Sequence, residues 1–300
     1  MSPNGARLTA EHIAHYQRDG AVLIKAALGS EDVATLQAGV EEAYLSSGDK
    51  VTKVRSPTGE GETLVREYAA LESPSLQGLI ASGVVGEIGA ELMQTKQAQL
   101  VLDQIFYKTK GPIVPTPWHQ DTPFLRVRGD QLVRLWFPCD FSPKQLTVQV
   151  VRGSHRWNVV YNAGGGQEET TLMVSGDRRD ANVGDHWLPP APDVRRYRES
   201  FDILSWDVEP GDVLAFQGNM LHGTDGVPMH NSARRAFAVL LGGPELRYHK
   251  PSGRAFPSPG RVRGACTDSD IPDGAPIGEH VDAFPVCWPV LPRAARTSGT

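Results

Sequence analysis

The feature that most constrains this chain is a change of texture near Ala98. Beyond it, short runs of branched and aromatic residues alternate with Gly and Pro, over 99–107, 132–137, 147–151, 212–216 and 235–241. Such runs suit the strands of an antiparallel sheet better than helices. Ahead of them the pattern is helical. Thr9 caps a helix over 10–18, and Ser30-Glu31-Asp32 opens a second that carries Val33, Leu36, Val40 and Tyr44 at helical spacing. A short strand over 21–24 separates them, polar residues 45–64 read as loop, and a further helical segment covers 76–93. Helices first and strands afterwards predict an α+β chain with a mainly β core, in which helices cover one face of a sandwich or jelly roll.

One domain is expected across residues 1–300: helical support over 8–95, a core over about 98–245 and a coil-rich tail over 250–300. Within the core, 158–200 contains Gly164-Gly165-Gly166 and is too long for a simple connection, so it reads as an insert or lid. A net charge of −5 with scattered Lys and Arg gives no attraction to phosphate backbones, so nucleic acid is not an expected partner. The longest apolar runs, 213–216 and 237–241, fall far short of the roughly 20 residues that a membrane helix needs. Residues 1–9 lack a signal-peptide core, and a cytoplasmic location is expected. Cys139, Cys266 and Cys287 form no CxxC pair, and Cys139 lies in an apolar stretch that suits a buried, inert thiol.

The chemistry concentrates in Trp118-His119-Gln120-Asp121. On a strand or its end, residues two apart project to the same side, so His119 and Asp121 can bind one ion together. His222 is the best-placed third ligand. The turn Pro210-Gly211 launches the apolar run 213–216, and His222 lies just past its end. Two imidazoles and one carboxylate make the facial triad suited to iron(II), with three coordination positions left open. A 2-oxo acid filling two of these would need a fixed cation for its remote carboxylate, and the planar fork of arginine matches one. In Arg234-Arg235-Ala236-Phe237-Ala238-Val239 only one arginine can face inward. Arg234 shares its face with the small Ala236 and Ala238, whereas Arg235 shares its own with Phe237 and Val239, so Arg234 is the candidate. Phe106, Phe124 and Arg126 lie near these residues and are candidate contacts for a small-molecule substrate. Among the other histidines, His186 and His230 are the nearest to such a role. No Gly-x-Ser-x-Gly, HExxH or P-loop is present.

With these motifs in hand, the chain resembles the phytanoyl-CoA dioxygenase family of iron(II) and 2-oxoglutarate oxygenases. The resemblance rests on Trp118-His119-Gln120-Asp121, Gly153-Ser154-His155, Glu209-Pro210-Gly211-Asp212, Leu221-His222-Gly223-Thr224, and Asn231-Ser232 ahead of Arg234. It extends weakly to Tyr16-Gln17-Arg18-Asp19-Gly20-Ala21-Val22 and so covers most of residues 8–245. It implies a double-stranded β-helix (a cupin-like jelly roll) flanked by N-terminal helices, with Fe(II), 2-oxoglutarate and O2 as cofactor and cosubstrates. It places the metal on His119, Asp121 and His222 and the cosubstrate carboxylate on Arg234. It further implies that Gln104 and Thr224 hydrogen-bond 2-oxoglutarate and that Trp136 packs beside it. Relatives that halogenate lack the carboxylate, so Asp121 disfavours halogenation. The expected activity is oxidation of an unactivated C–H bond of a small organic molecule, by hydroxylation; the same chemistry can end in desaturation, cyclisation or endoperoxidation. A catalytically silent jelly-roll binding module is the alternative from another class. The chain departs from the family where Pro143-Lys144-Gln145-Leu146-Thr147 replaces a Gly-rich turn before Gly-Ser-His.

Overall fold

A computed structural model describes residues 8–48, 52–55, 61–111, 115–162, 172–173, 184–224 and 234–290. The N-terminal part holds helices α1 (Ala10–Asp19), α2 (Ser30–Leu45), α3 (Pro74–Ala81) and α4 (Val84–Leu92), with strands β1 (Ala21–Ile24), β2 (Thr52–Arg55) and β3 (Glu62–Glu67) among them. Then follow β4 (Ala98–Lys110), β5 (Thr116–His119), β6 (Val127–Arg128), β7 (Leu132–Pro138), β8 (Gln149–Val151) and β9 (Leu172–Met173). The chain continues through β10 (Ile203–Leu204), β11 (Val213–Gln217), β12 (His222–Thr224), β13 (Arg235–Gly242), β14 (Arg247–Tyr248), the short α5 (Pro259–Val262) and β15 (Val286–Trp288).

Two sheets carry the core. The larger runs β1-β11-β7-β13-β4-β3-β2-β9, with β15 also pairing β4, and the smaller runs β10-β8-β12-β5. All of these pairings are antiparallel, as the short alternating runs predict. Strand parity divides the large sheet. Phe237, Val239, Phe137 and Leu135 pack against Leu36, Val40 and Leu76 of the helical layer, while Ala236, Ala238 and Trp136 face the smaller sheet with Val148 and Val150. The site therefore forms between the sheets, remote from the helices.

Two expectations need correction. The segment 76–93 is two helices, because Gly83 takes φ 89°, a left-handed backbone that ends one helix and starts the next. The polar stretch 45–64 holds β2 and the start of β3, which extend the large sheet beside β4. Their Thr, Lys and Glu content hid them, since a short polar run shows no apolar alternation to mark it as a strand. Within the tail, β15 pairs with β4. Of the 158–200 insert, Ala191 and Val194 pack against Trp118, Val151 and Leu221 on the outer face of the smaller sheet. No described residue of that insert lines the cavity, and residues 163–171 and 174–183 lie outside the described ones. Burial pushes the Cys139 thiol up to about 12, in keeping with an inert role. Among the described residues, no helix is long and apolar enough to cross a membrane.

The helical layer depends on its caps. The Ser73 hydroxyl accepts from Leu76 N at 3.1 Å, capping α3, and donates to Glu42 of α2 at 2.7 Å. Ser73→Ala removes both bonds at a fully buried position and is expected to cost about 1–2 kcal/mol. The check is the urea midpoint, which should fall with the slope unchanged; an unshifted midpoint would contradict this role.

Candidate metal centre

Three residues at the ends of two paired strands build the centre. Trp118 is fully buried against Val151, Ala191, Val194 and Leu221. Two residues on, the Gln120 amide donates to Asn219 O at 2.7 Å and Val159 O at 3.0 Å and accepts from Tyr161 N at 2.8 Å. With both even positions pinned outward, alternation turns His119 and Asp121 into the cavity. In the β5–β12 pairing His119 stands opposite His222, and their rings lie 4.2 Å apart. Gly223 permits this close approach, since a Cβ there would come within 2.9 Å of Thr116 O.

Each imidazole is held by a backbone carbonyl: His119 Nδ1–H donates to Pro117 O at 2.7 Å and His222 Nδ1–H to Met220 O at 3.0 Å. That fixes the tautomer and leaves both Nε2 lone pairs for a metal. His222 Nε2 stands 3.9 Å from Asp121 Oδ1, and one donor atom from each of the three residues lies within 4.8 Å of the others, a spread that one ion can gather. Nitrogen and oxygen donors in a two-imidazole, one-carboxylate set suit iron(II). Asp121 Oδ2 is buried without a hydrogen bond among the described residues, as expected of an atom beside a ligand position.

Burial, with the neighbouring His119, lowers the His222 imidazole to about 3, and burial also holds His119 below its usual range. Burial would raise the Asp121 carboxyl, but the Arg134 guanidinium and then both imidazoles outweigh it and keep it below the usual carboxylate range. All three ligands are thus in their metal-binding protonation states at neutral pH. The depressed histidines carry a cost in acid. As pH falls through about 6.5 the unfolded chain takes up protons that the folded chain refuses, so stability falls with pH. From His222 alone the metal-free protein should lose about 2 kcal/mol between roughly pH 6.5 and pH 5. Denaturant unfolding of wild type and His222→Gln across that range checks this; equal slopes would contradict it.

The cavity also takes in Gln104, Phe106, Phe124, Trp136, Thr224 and Arg234. Arg234 lies within cation–π range of Trp136, 6.0 Å from the ring centroid, and its Nε has no hydrogen-bond partner among the described residues. Burial lowers its guanidinium to about 10, which leaves it charged at neutral pH. Arg235 faces the helical layer, where it forks onto Asp140 at 2.7 and 3.0 Å and reaches Glu41 at 2.6 Å. Thr224 Oγ accepts from Thr116 N at 2.9 Å. Phe124 stands edge-on to His119 at 5.9 Å.

Arg126 does not join them. Its Nε pairs with Asp268 Oδ2 at 3.2 Å, so it fastens the tail instead of lining the cavity. His186 is exposed and is not among the residues lining the cavity, and His230 lies outside the described residues. Sequence reasoning missed Arg134, Lys108, Glu67 and Phe256, all of which line the cavity. Arg134 carried a signal, a charge inside the apolar run 132–137, where only a paired charge survives. Phe256, in the tail, stacks on Phe124 at 6.1 Å and donates its N–H to Phe124 O at 2.8 Å; nothing local marked it.

Several solved structures share this fold. The non-haem α-ketoglutarate-dependent epimerase SnoN from nogalamycin biosynthesis has 18% identity and a TM-score of 0.65, over 92% of this chain and 97% of its own. The carbocyclase SnoK from the same biosynthesis has 18% identity and a TM-score of 0.66, over 95% and 99%. EctD from S. alaskensis has 17% identity and a TM-score of 0.60, over 85% and 86%. At these identities the likeness concerns the jelly-roll fold. No curated protein matches the sequence. The family model for phytanoyl-CoA dioxygenase (PhyH) matches residues 16–235, which span β1 to the start of β13 and include His119, Asp121, His222 and Arg234. The chain belongs to the phytanoyl-CoA dioxygenase family.

Proposed function

We propose that the chain is an iron(II)- and 2-oxoglutarate-dependent dioxygenase that hydroxylates an unactivated C–H bond of a small organic molecule, in secondary metabolism. One observation carries this reading: His119, Asp121 and His222 converge in a cavity that also holds the buried guanidinium of Arg234. When bound, iron(II) would let O2 act as the oxidant, with one oxygen atom going to 2-oxoglutarate, which leaves as succinate and carbon dioxide, and the other to the substrate C–H bond.

The protein's own residues bind and orient. His119, Asp121 and His222 hold the metal on one face, and Arg234 takes the remote carboxylate of 2-oxoglutarate. Lys108 adds positive charge to the same cavity; burial and then the charge of Arg234 push its ammonium below the usual range. Gln104 and Thr224 supply polar contacts, and Trp136 packs beside the cosubstrate. Phe106, Phe124 and Phe256 form an apolar wall that excludes water and receives the carbon skeleton of the substrate.

SnoN is named an epimerase and SnoK a carbocyclase. Their names favour a second reading, in which the same cofactors drive a stereochemical inversion or a ring closure. The test is succinate formation from 2-oxoglutarate by anaerobically iron-loaded protein over a broad substrate panel, with product masses. Iron-dependent succinate with a gain of one oxygen atom supports hydroxylation, and turnover without that gain supports the second reading. A fully metallated protein that forms no succinate would overturn both.

A further inference from the structure

Arg134 sits in the middle of β7, a strand buried along its whole length, with 4% of its surface exposed. Burying a guanidinium costs several kcal/mol unless partners compensate, and an aliphatic side chain would fill the same space. Its partners are specific. Nη2 donates to Gln104 Oε1 at 2.5 Å, Nη1 stands 3.4 Å from Asp121 Oδ2, and the guanidinium carbon lies 5.8 Å from the centre of the Phe106 ring.

We propose that Arg134 is a positioning residue that keeps Asp121 a single-oxygen metal ligand and turns the Gln104 amide towards the cosubstrate. The proposal rests on the iron and 2-oxoglutarate reading and deepens it. The two Asp121 oxygens stand in different company: Oδ1 faces His222 Nε2 at 3.9 Å, and Oδ2 faces the guanidinium. A carboxylate whose second oxygen is drawn to a fixed cation does not swing to grip an ion with both oxygens. The facial triad then occupies three positions and leaves three for the 2-oxo acid and oxygen; a two-oxygen grip would take one of them. At Gln104 only the carbonyl oxygen can accept from arginine, so the amide NH2 is the group turned away from it and offered to an anion. A cation beside the metal opposes metal binding, so the gain lies in cosubstrate affinity and order.

The two effects carry opposite signs, which separates them from a packing defect. The probes are Mn(II), titrated calorimetrically into metal-free protein at pH 8, and 2-oxoglutarate, titrated into the Mn(II)-loaded protein. For Arg134→Met, 2-oxoglutarate affinity should fall about 10- to 100-fold, the scale of losing one hydrogen bond to a charged group, while Mn(II) affinity is not weakened. Arg134→Lys should recover part of the loss, because an ammonium can still reach one of the two partners. Unchanged 2-oxoglutarate affinity in folded, Mn(II)-loaded Arg134→Met would overturn the proposal. So would parallel loss of both ligands with no recovery in Arg134→Lys, the mark of a merely structural residue. Wild-type protein that binds Mn(II) but shows no metal-dependent affinity for 2-oxoglutarate would overturn the cofactor reading along with it.

Discussion

Asp121→Ala is expected to abolish iron-dependent succinate formation, with a loss of at least about a thousandfold. The carboxylate is the only anion in the triad, and its removal leaves two neutral imidazoles facing an ion beside the Arg134 guanidinium, 3.4 Å from where Asp121 Oδ2 stood. Repulsion from that cation then adds to the loss of a charged ligand. Metal catalysis supplies several kcal/mol of stabilisation, and about 1.4 kcal/mol corresponds to each tenfold in rate, so loss of the metal alone accounts for the magnitude. His119→Ala should match it, because His119 faces His222 across the β5–β12 pair and neither imidazole binds tightly alone. Metal content after dialysis should fall with activity in both variants, and Asp121→Ala should also lower the unfolding midpoint of the metal-free protein, because the buried Arg134 guanidinium loses a partner. Asp121→Ala protein that retains iron and turnover would remove the basis of the site.

The neighbouring arginines make the second large contrast. Arg234→Ala is expected to weaken 2-oxoglutarate binding by about 2–5 kcal/mol, the cost of truncating one partner of a buried charge pair, which is roughly 30-fold to several thousandfold in Kd. Arg235→Ala should leave that Kd unchanged and lower the stability instead, because its partners are Asp140 and Glu41 on the helical side of the sheet. Calorimetric titration of 2-oxoglutarate into the metal-loaded variants checks both. Equal losses in the two variants would contradict the assignment by strand parity.

That parity was legible in the sequence, and the reason is physical. The two faces of β13 differ in side-chain volume, Ala236 and Ala238 on one and Phe237 and Val239 on the other, and a two-residue period has no third solution. His119 and Asp121 were legible for the same reason, and His222 because a turn and an apolar strand lead into it. Less legible was whatever depends on chain segments meeting at a distance. Strand β3 brings Glu67 to the cavity, yet the polar stretch in which it begins resembles a loop. Phe256 arrives on the tail, positioned by a backbone bond to Phe124 rather than by any periodic pattern. Arg126 shows the converse error: closeness to Asp121 in sequence suggested the cavity mouth, whereas pairing with Asp268 draws it to the tail. Arg134 was detectable as a charge in an apolar strand, but its role required knowing that Asp121 and Gln104 flank it.

The most direct test of the central claim is a crystal structure of the protein grown anaerobically with iron(II) and 2-oxoglutarate. One ion is expected, bonded to Nε2 of His119, Nε2 of His222 and a single oxygen of Asp121, with 2-oxoglutarate chelating it and its remote carboxylate on Arg234. An ion bound elsewhere, or a 2-oxoglutarate carboxylate resting on Arg235, would contradict it.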